Sequence, residues 1–202
     1  MSELSDQMLL RAYLKGDRGA FDALFRRYAA RIHATAYRLT ANWEDAEDTL
    51  QDVFVQLSQK AGMIRHAGAV SSWLYRTAVN RAADRLRRRR STLSLDQPTP
   101  ATTRVIVVES LRRDAERELS RRRDSLLEQI ESLIPRLPER QASVFVLRYS
   151  QGLSHREIGS ILGCSEGSSK SHLSLACRRL RSWIAKMKQS EKGAQAGREH
   201  NP

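Results

Sequence analysis

At 202 residues the chain has room for one domain or two small ones. A formal charge of +12 points to a polyanionic partner, nucleic acid or an acidic membrane surface, and two cysteines are too few for a disulfide framework or a cysteine-built metal site. No apolar run approaches ~20 residues, which excludes a membrane-spanning helix, and no basic start followed by an apolar stretch marks a secretory signal, so a reduced, cytoplasmic setting is expected.

The periodicity before position 90 is helical almost throughout. Ser5 or Asp6 caps a first helix with Met8, Leu9, Ala12, Tyr13 and Leu14 on its apolar stripe. Gly16-Asp17 breaks it. Ala20 to Leu39 follows, with Phe21, Leu24, Phe25, Tyr28, Ile32, Ala36 and Leu39 at steps of three and four. Asn42 offers a cap, and a third helix runs from about Glu44 to Gln59. Its buried stripe is Ala46, Leu50, Val53 and Leu57, and Asp45, Asp48 and Asp52 recur on an exposed acidic face. Acidic residues in a first turn suit the helix dipole. In a basic chain, the same face also suits docking onto a basic protein surface.

Residues 61–71 read as a loop, and Ser71 or Ser72 caps a fourth helix from Trp73 to about Arg90. Trp73, Leu74, Ala78, Ala82 and Leu86 face a core. Arg76, Asn80, Arg81, Arg85 and Arg87 to Arg90 lie outside. A basic helix with an aromatic near its start and an Asn on its face is suited to phosphates and an unstacked base. Terminal arginines also complement a helix C-terminus, but this helix carries more than that requires.

From Ser91 to Thr103 the chain turns to Ser, Thr and Pro and reads as a linker. Val105-Ile106-Val107-Val108 fits a short strand or a docking segment equally well. Glu109 to Ile130 is charged and helical in pattern, with a thin stripe of Leu111, Ala115, Leu119 and Leu126. Pro135 and Pro138 mark a turn. Helices at Glu139–Tyr149, Ser154–Leu162 and Glu166–Lys186 then complete a C-terminal module, and the tail is expected to be disordered. Residues 1–90 carry 16 Lys and Arg against 10 Asp and Glu; 91–130 carry 7 against 7; 131–202 carry 12 against 6. Two basic modules around a neutral middle fit two nucleic-acid contacts better than one basic tail. The fold class is all-α: two small helical domains over 1–90 and 125–187, joined by a linker at 91–124 and followed by a tail at 188–202.

The densest signal lies between Leu153 and Arg181. Ser154 with Glu157 is a capping box, Ile158, Ile161 and Leu162 form one apolar face, Gly163 stops the helix, and Ser165 caps the next. In that next helix Leu173, Ala176, Cys177 and Leu180 face inward. Ser168, Lys170, Ser171, Ser174, Leu175 and Arg178 face outward. Two helices joined by a short turn, the second polar and basic outside, form a helix-turn-helix for the DNA major groove. An αα-hairpin inside a bundle is the plainer alternative.

These segments carry a resemblance. Asp45-Ala-Glu-Asp-Thr-Leu-Gln-Asp-Val-Phe54, Trp73-Leu-Tyr-Arg-Thr-Ala-Val-Asn80, Asp84-Arg-Leu-Arg-Arg-Arg, Leu137-Pro-Glu-Arg-Gln141 and the helix-turn-helix resemble the extracytoplasmic-function group of the bacterial sigma-70 family. The similarity covers about 5–90 and 125–185, the sigma-2-like and sigma-4-like domains. It implies a promoter-specificity subunit with core RNA polymerase and promoter DNA as partners, an anti-sigma factor as a regulator, no cofactor, no metal and no catalytic residue. Asp48, Gln51, Asp52 and Val55 are then the implied polymerase contacts. Trp73, Arg76, Asn80, Arg81 and Arg85 are the implied −10 contacts. Lys170, Ser171, Ser174 and Arg178 would read the −35 duplex, with Arg148 and Arg156 on phosphates.

The chain departs from the family at two positions near the helix crossing. Gly159 stands where alanine is usual, weakening its helix by up to ~1 kcal/mol. Ser169 stands where valine or a similar residue is usual, and a buried hydroxyl needs a hydrogen-bond partner. The family's frequent Arg near His172 is absent. A free-standing helix-turn-helix regulator is the competing function, disfavoured because no dimer seam is visible. A nuclease is disfavoured because no clustered carboxylates form a metal site.

Overall fold

The computed structural model describes residues 4–64, 69–93 and 126–198. Among them there is no strand. The helices are α1 (Asp6–Leu14), α2 (Arg18–Thr40), α3 (Trp43–Lys60) and α4 (Ala69–Leu93). α5 is described over 126–133, and α6 (Glu139–Tyr149), α7 (His155–Leu162) and α8 (Glu166–Arg198) follow. Single 3-10 turns at Ala61–Met63 and Ile134–Arg136 close α3 and α5. The linker beyond residue 93 and the Val105–Val108 run lie outside the described residues.

The caps are local chemistry. Ser5, Asp17 and Asn42 accept from the backbone N–H groups of Met8, Ala20 and Asp45, each satisfying an orphan donor of a first turn. α2 ends on Ala41 in the left-handed region at φ 49°, whose N–H donates to the Tyr37 carbonyl.

α2, α3 and α4 pack around Leu24, Ile32, Val53, Leu57, Leu74 and Ala78, all fully buried. In the second half, Leu133, Ile134, Leu137, Leu147, Ile158, Ile161 and Ala176 do the same. Both sets belong to one continuous apolar cluster, because α4 lies against α7 and α2 against α6.

Several elements differ from the sequence expectation. In α1, Leu9 and Leu10 are buried while Met8 and Leu14 are half exposed. α1 packs against both α2 and α4, and Leu10 takes an inward position there. Phe25 is also more exposed than its stripe implied, although its ring meets Phe54 at 4.8 Å. α4 begins at Ala69, which puts Ser71 and Ser72 inside the helix rather than at its cap. Val70 is fully buried, and its packing carries the helix upstream of the serines. α8 continues to Arg198 instead of ending near Lys186. No proline interrupts it, and Glu191, Lys192, Ala194 and Ala196 are good helix formers.

Candidate functional site

The helix-turn-helix is built almost wholly from short-range bonds. Ser154 Oγ accepts from the Glu157 N–H, and the Glu157 carboxylate accepts from the Ser154 N–H at 2.7 Å, closing the capping box. The Ser154 hydroxyl also donates to the Glu157 carboxylate at 2.6 Å, and that bond first and the one from the Ser154 N–H second hold the carboxyl below its ordinary pKa. Gly163 ends α7 at φ 65°, and the Cys164 N–H donates back to the Gly159 carbonyl at 2.9 Å. Ser165 then caps α8 by accepting from the Ser168 N–H at 3.0 Å.

Gly159 is explained by this turn. A Cβ on it would meet the Cys164 carbonyl oxygen at 2.6 Å, closer than real Cβ atoms come. The expected helix weakening is therefore not the governing effect, since alanine would collide with the turn. Ser169, fully buried, has the partner it needs: its Oγ lies 2.9 Å from His155 Nδ1.

On α8, Ala176 and Leu180 are buried, with Leu173 and Cys177 partly so. Lys170, Ser171, Ser174, Leu175 and Arg178 face outward. Lys170 is paired along the helix with Glu166 at 2.7 Å and lowers that carboxyl's pKa. Arg156 is exposed on α7. Arg148, exposed near the end of α6, donates to the Leu153 carbonyl at 2.9 Å and braces the α6–α7 loop.

The acidic face of α3 is not a bare surface. Arg85 of α4 donates to Asp52 at 2.7 Å and to Thr49 Oγ1 at 3.2 Å, and stands 3.5 Å from Asp48. Arg89 donates to Asp45 at 3.1 Å. Gln56, with its amide oxygen turned toward α4, accepts from Arg81 Nε at 2.8 Å. The acidic helix and the arginine helix therefore neutralise each other along one edge. Among the side chains that stay outward on α3 are Asp48, with 59% of its side chain exposed, exposed Glu44, Glu47, Gln51 and Val55, and half-exposed Asp52.

Of the residues singled out on α4, Trp73 is partly buried and Asn80 is exposed. Arg81 and Arg85 face α3, and Arg76 crosses to the other half of the molecule. Arg76 Nε donates to the Ile161 carbonyl at 2.8 Å, and its terminal nitrogen to the Ser160 carbonyl. Arg140 of α6 donates to the Leu162 carbonyl. The last carbonyls of α7, Gly159 to Leu162, are thus all satisfied, two of them by a cation from α4, as the negative end of a helix favours.

Around this contact Gln151 accepts from the Tyr75 hydroxyl and donates to Thr35 Oγ1, both at 3.0 Å. Arg38 pairs with Glu131 at 3.0 Å. Gln151, Thr35, Tyr75 and Arg140 carry no periodic signal that announces these partnerships across the two halves. Among the described residues no group of three or more His, Cys, Asp or Glu could hold a metal ion, and no helix is long and apolar enough to cross a membrane. Cys164 and Cys177 are free thiols.

Two family models match the chain: Sigma-70 region 2 over residues 24–92, and Sigma-70, region 4 over residues 127–180. The ECF RNA polymerase sigma factor SigM of Mycobacterium tuberculosis is 35% identical over 187 residues, covering 92% of this chain and 85% of that one. The ECF RNA polymerase sigma-E factor of Escherichia coli is 30% identical, covering 86% and 91%. Among solved structures, CnrH in complex with the cytosolic domain of CnrY superposes with TM-score 0.62 at 22% identity, covering 90% of this chain and 97% of that one. The sigma factor RpoE in complex with the anti-sigma factor NepR from Bartonella quintana gives 0.62 at 20%, covering 82% and 96%.

Proposed function

The chain belongs to the extracytoplasmic-function group of the sigma-70 family of RNA polymerase sigma factors, and on that premise we propose how its parts divide the work. As a sigma factor it binds core RNA polymerase and directs it to specific promoters for transcription initiation. The work is done in the cytoplasm, and the chemistry of RNA synthesis belongs to the polymerase.

We assign polymerase docking to the outward edge of α3. Asp48, Gln51 and Val55 are presented together there, with the free part of Asp52 beside them. The observation that carries this reading is Asp48: of the two carboxylates that Arg85 reaches it is the more exposed and the more distant, at 3.5 Å against 2.7 Å for Asp52. The −10 element falls to α4, with exposed Asn80 and partly exposed Trp73 for a base and Arg76 for a phosphate, while Arg81 and Arg85 hold α4 against α3. The −35 duplex falls to α8, where Lys170, Ser171, Ser174 and Arg178 share one exposed face, with Arg156 on the backbone. Arg148 braces the loop ahead of α7 and, exposed there, joins Arg156 on the backbone phosphates.

An anti-sigma protein is the expected inhibitor: the structural relative RpoE is seen in complex with the anti-sigma factor NepR, and CnrH in complex with the cytosolic domain of CnrY. Purified protein added to core polymerase should form a complex at moderate salt and give run-off transcripts from a small set of promoters. A chain that leaves core polymerase unbound, or that binds a palindromic duplex tightly as a dimer on its own, would fit the free-standing regulator instead.

A further inference from the structure

We propose that His155, Ser169 and Gly159 form a positioning device that fixes how α8 is presented to the −35 duplex, and that promoter preference depends on it. The inference rests on the −35 assignment of α8. His155 and Gly159 are one turn apart on the same face of α7. Both meet the start of α8. At one point the Cys164 carbonyl sits where a Gly159 Cβ would be, 2.6 Å away. At the other, His155 Nδ1 and Ser169 Oγ lie 2.9 Å apart, the donor set by the imidazole tautomer.

Two fixed points define both the approach of α8 and its rotation. Ser169 is fully buried. Ser171, Ser174 and Arg178 lie about 140–200° from it around the helix axis, at about 100° per residue. A rotation of α8 that breaks the His155 contact therefore swings these outward side chains across the base edges. A hydroxyl at this position is directional where an aliphatic group would not be. A valine in place of Ser169 would fill space without fixing rotation, whereas the bond to His155 is directional. His155 remains partly exposed at the start of α7 and Ser169 belongs to the first turns of α8, so the tie joins two helix N-termini without touching DNA.

The test uses holoenzyme assembled from the full chain and core polymerase, on a library with a fixed −10 element and a randomised upstream duplex. Ser169→Ala, His155→Ala and the double variant are compared by sequencing the DNA retained. Each single substitution only removes atoms, and core binding is expected to be unchanged. Loss of one buried hydrogen bond is expected to flatten preference at the same upstream positions about three- to tenfold. The double variant is expected to be no flatter than either single one, while His155→Asn, which keeps a hydrogen-bonding atom at the Nδ1 position, retains the original preferences. A merely structural role would weaken all sequences alike. Preferences that survive both substitutions, or losses that multiply in the double variant, overturn the inference. If the wild-type holoenzyme enriches no upstream element at all, the −35 assignment itself falls and takes the inference with it.

Discussion

At the scale of single residues, a few side chains and one backbone angle carry separable consequences. Ala41 holds a left-handed conformation at φ 49° to end α2, a conformation that costs a non-glycine residue energy. Ala41→Gly is expected to raise stability by about 0.5–1 kcal/mol, read as a higher midpoint in urea with unchanged slope. Gly159 is the reverse case: Gly159→Ala must displace a carbonyl at 2.6 Å and is expected to cost about 1–3 kcal/mol despite alanine's better helix propensity. Asp48 and Asp52 differ although both belong to the acidic face. Asp52 is bonded to Arg85 at 2.7 Å, while Asp48 stands farther off and is more exposed. Asp48→Arg should therefore reduce core-polymerase affinity by about tenfold or more with a stability change within about 0.5 kcal/mol. Asp52→Arg should lower both, because it sets two guanidinium groups against each other. Affinity by fluorescence anisotropy beside thermal melts separates the two effects.

At the scale of elements, the helix-turn-helix derives its definition from its ends. Ser154→Ala should cost about 1 kcal/mol by unmaking the capping box. Glu157 gives the same element an acid limit. Its carboxyl sits below the ordinary pKa in the folded state because Ser154 bonds to its charged form. Its contribution is therefore present above the unfolded-state value near 4.3 and is lost as pH falls through the lower folded-state value. In Glu157→Gln the reciprocal bond survives and that part of the acid destabilisation disappears, which pH-dependent melts of the two proteins would show. These features were legible in the sequence because they are local. Ser154, Glu157, Gly163 and Ser165 sit within a dozen residues, and α6 runs over Glu139–Tyr149 as its pattern implies. The start of α4 and the end of α8 were not legible, because burial of Val70 and continued helix-forming residues overrode the serine and glycine signals. The acidic face was read correctly as a face and wrongly as wholly open. Nothing in the spacing of Asp45, Asp48 and Asp52 announces that Arg85 and Arg89 of another helix lie across from it.

At the scale of the whole molecule, the two halves share a core and a polar seam, and the seam uses a residue assigned to DNA. Arg76 spans 85 positions to cap the end of α7, a partnership no sequence period encodes. Nε and one terminal nitrogen of its guanidinium serve the α7 carbonyls, so a promoter phosphate that took over those donors would require α7 to move away. Gln151 supports the same seam through Tyr75 and Thr35 without belonging to either DNA face. Gln151→Ala should accordingly loosen the closed arrangement, read as a larger radius of gyration in small-angle scattering, and should increase the free protein's affinity for single-stranded −10 DNA. The whole assignment rests on one chain addressing two promoter elements while bound to polymerase. The most direct measurement is selection of promoter DNA from a fully randomised library by holoenzyme reconstituted from this chain, followed by sequencing. Two enriched elements at a fixed spacing, absent with core polymerase alone, are expected; a single element, or the same DNA retained without polymerase, would contradict it.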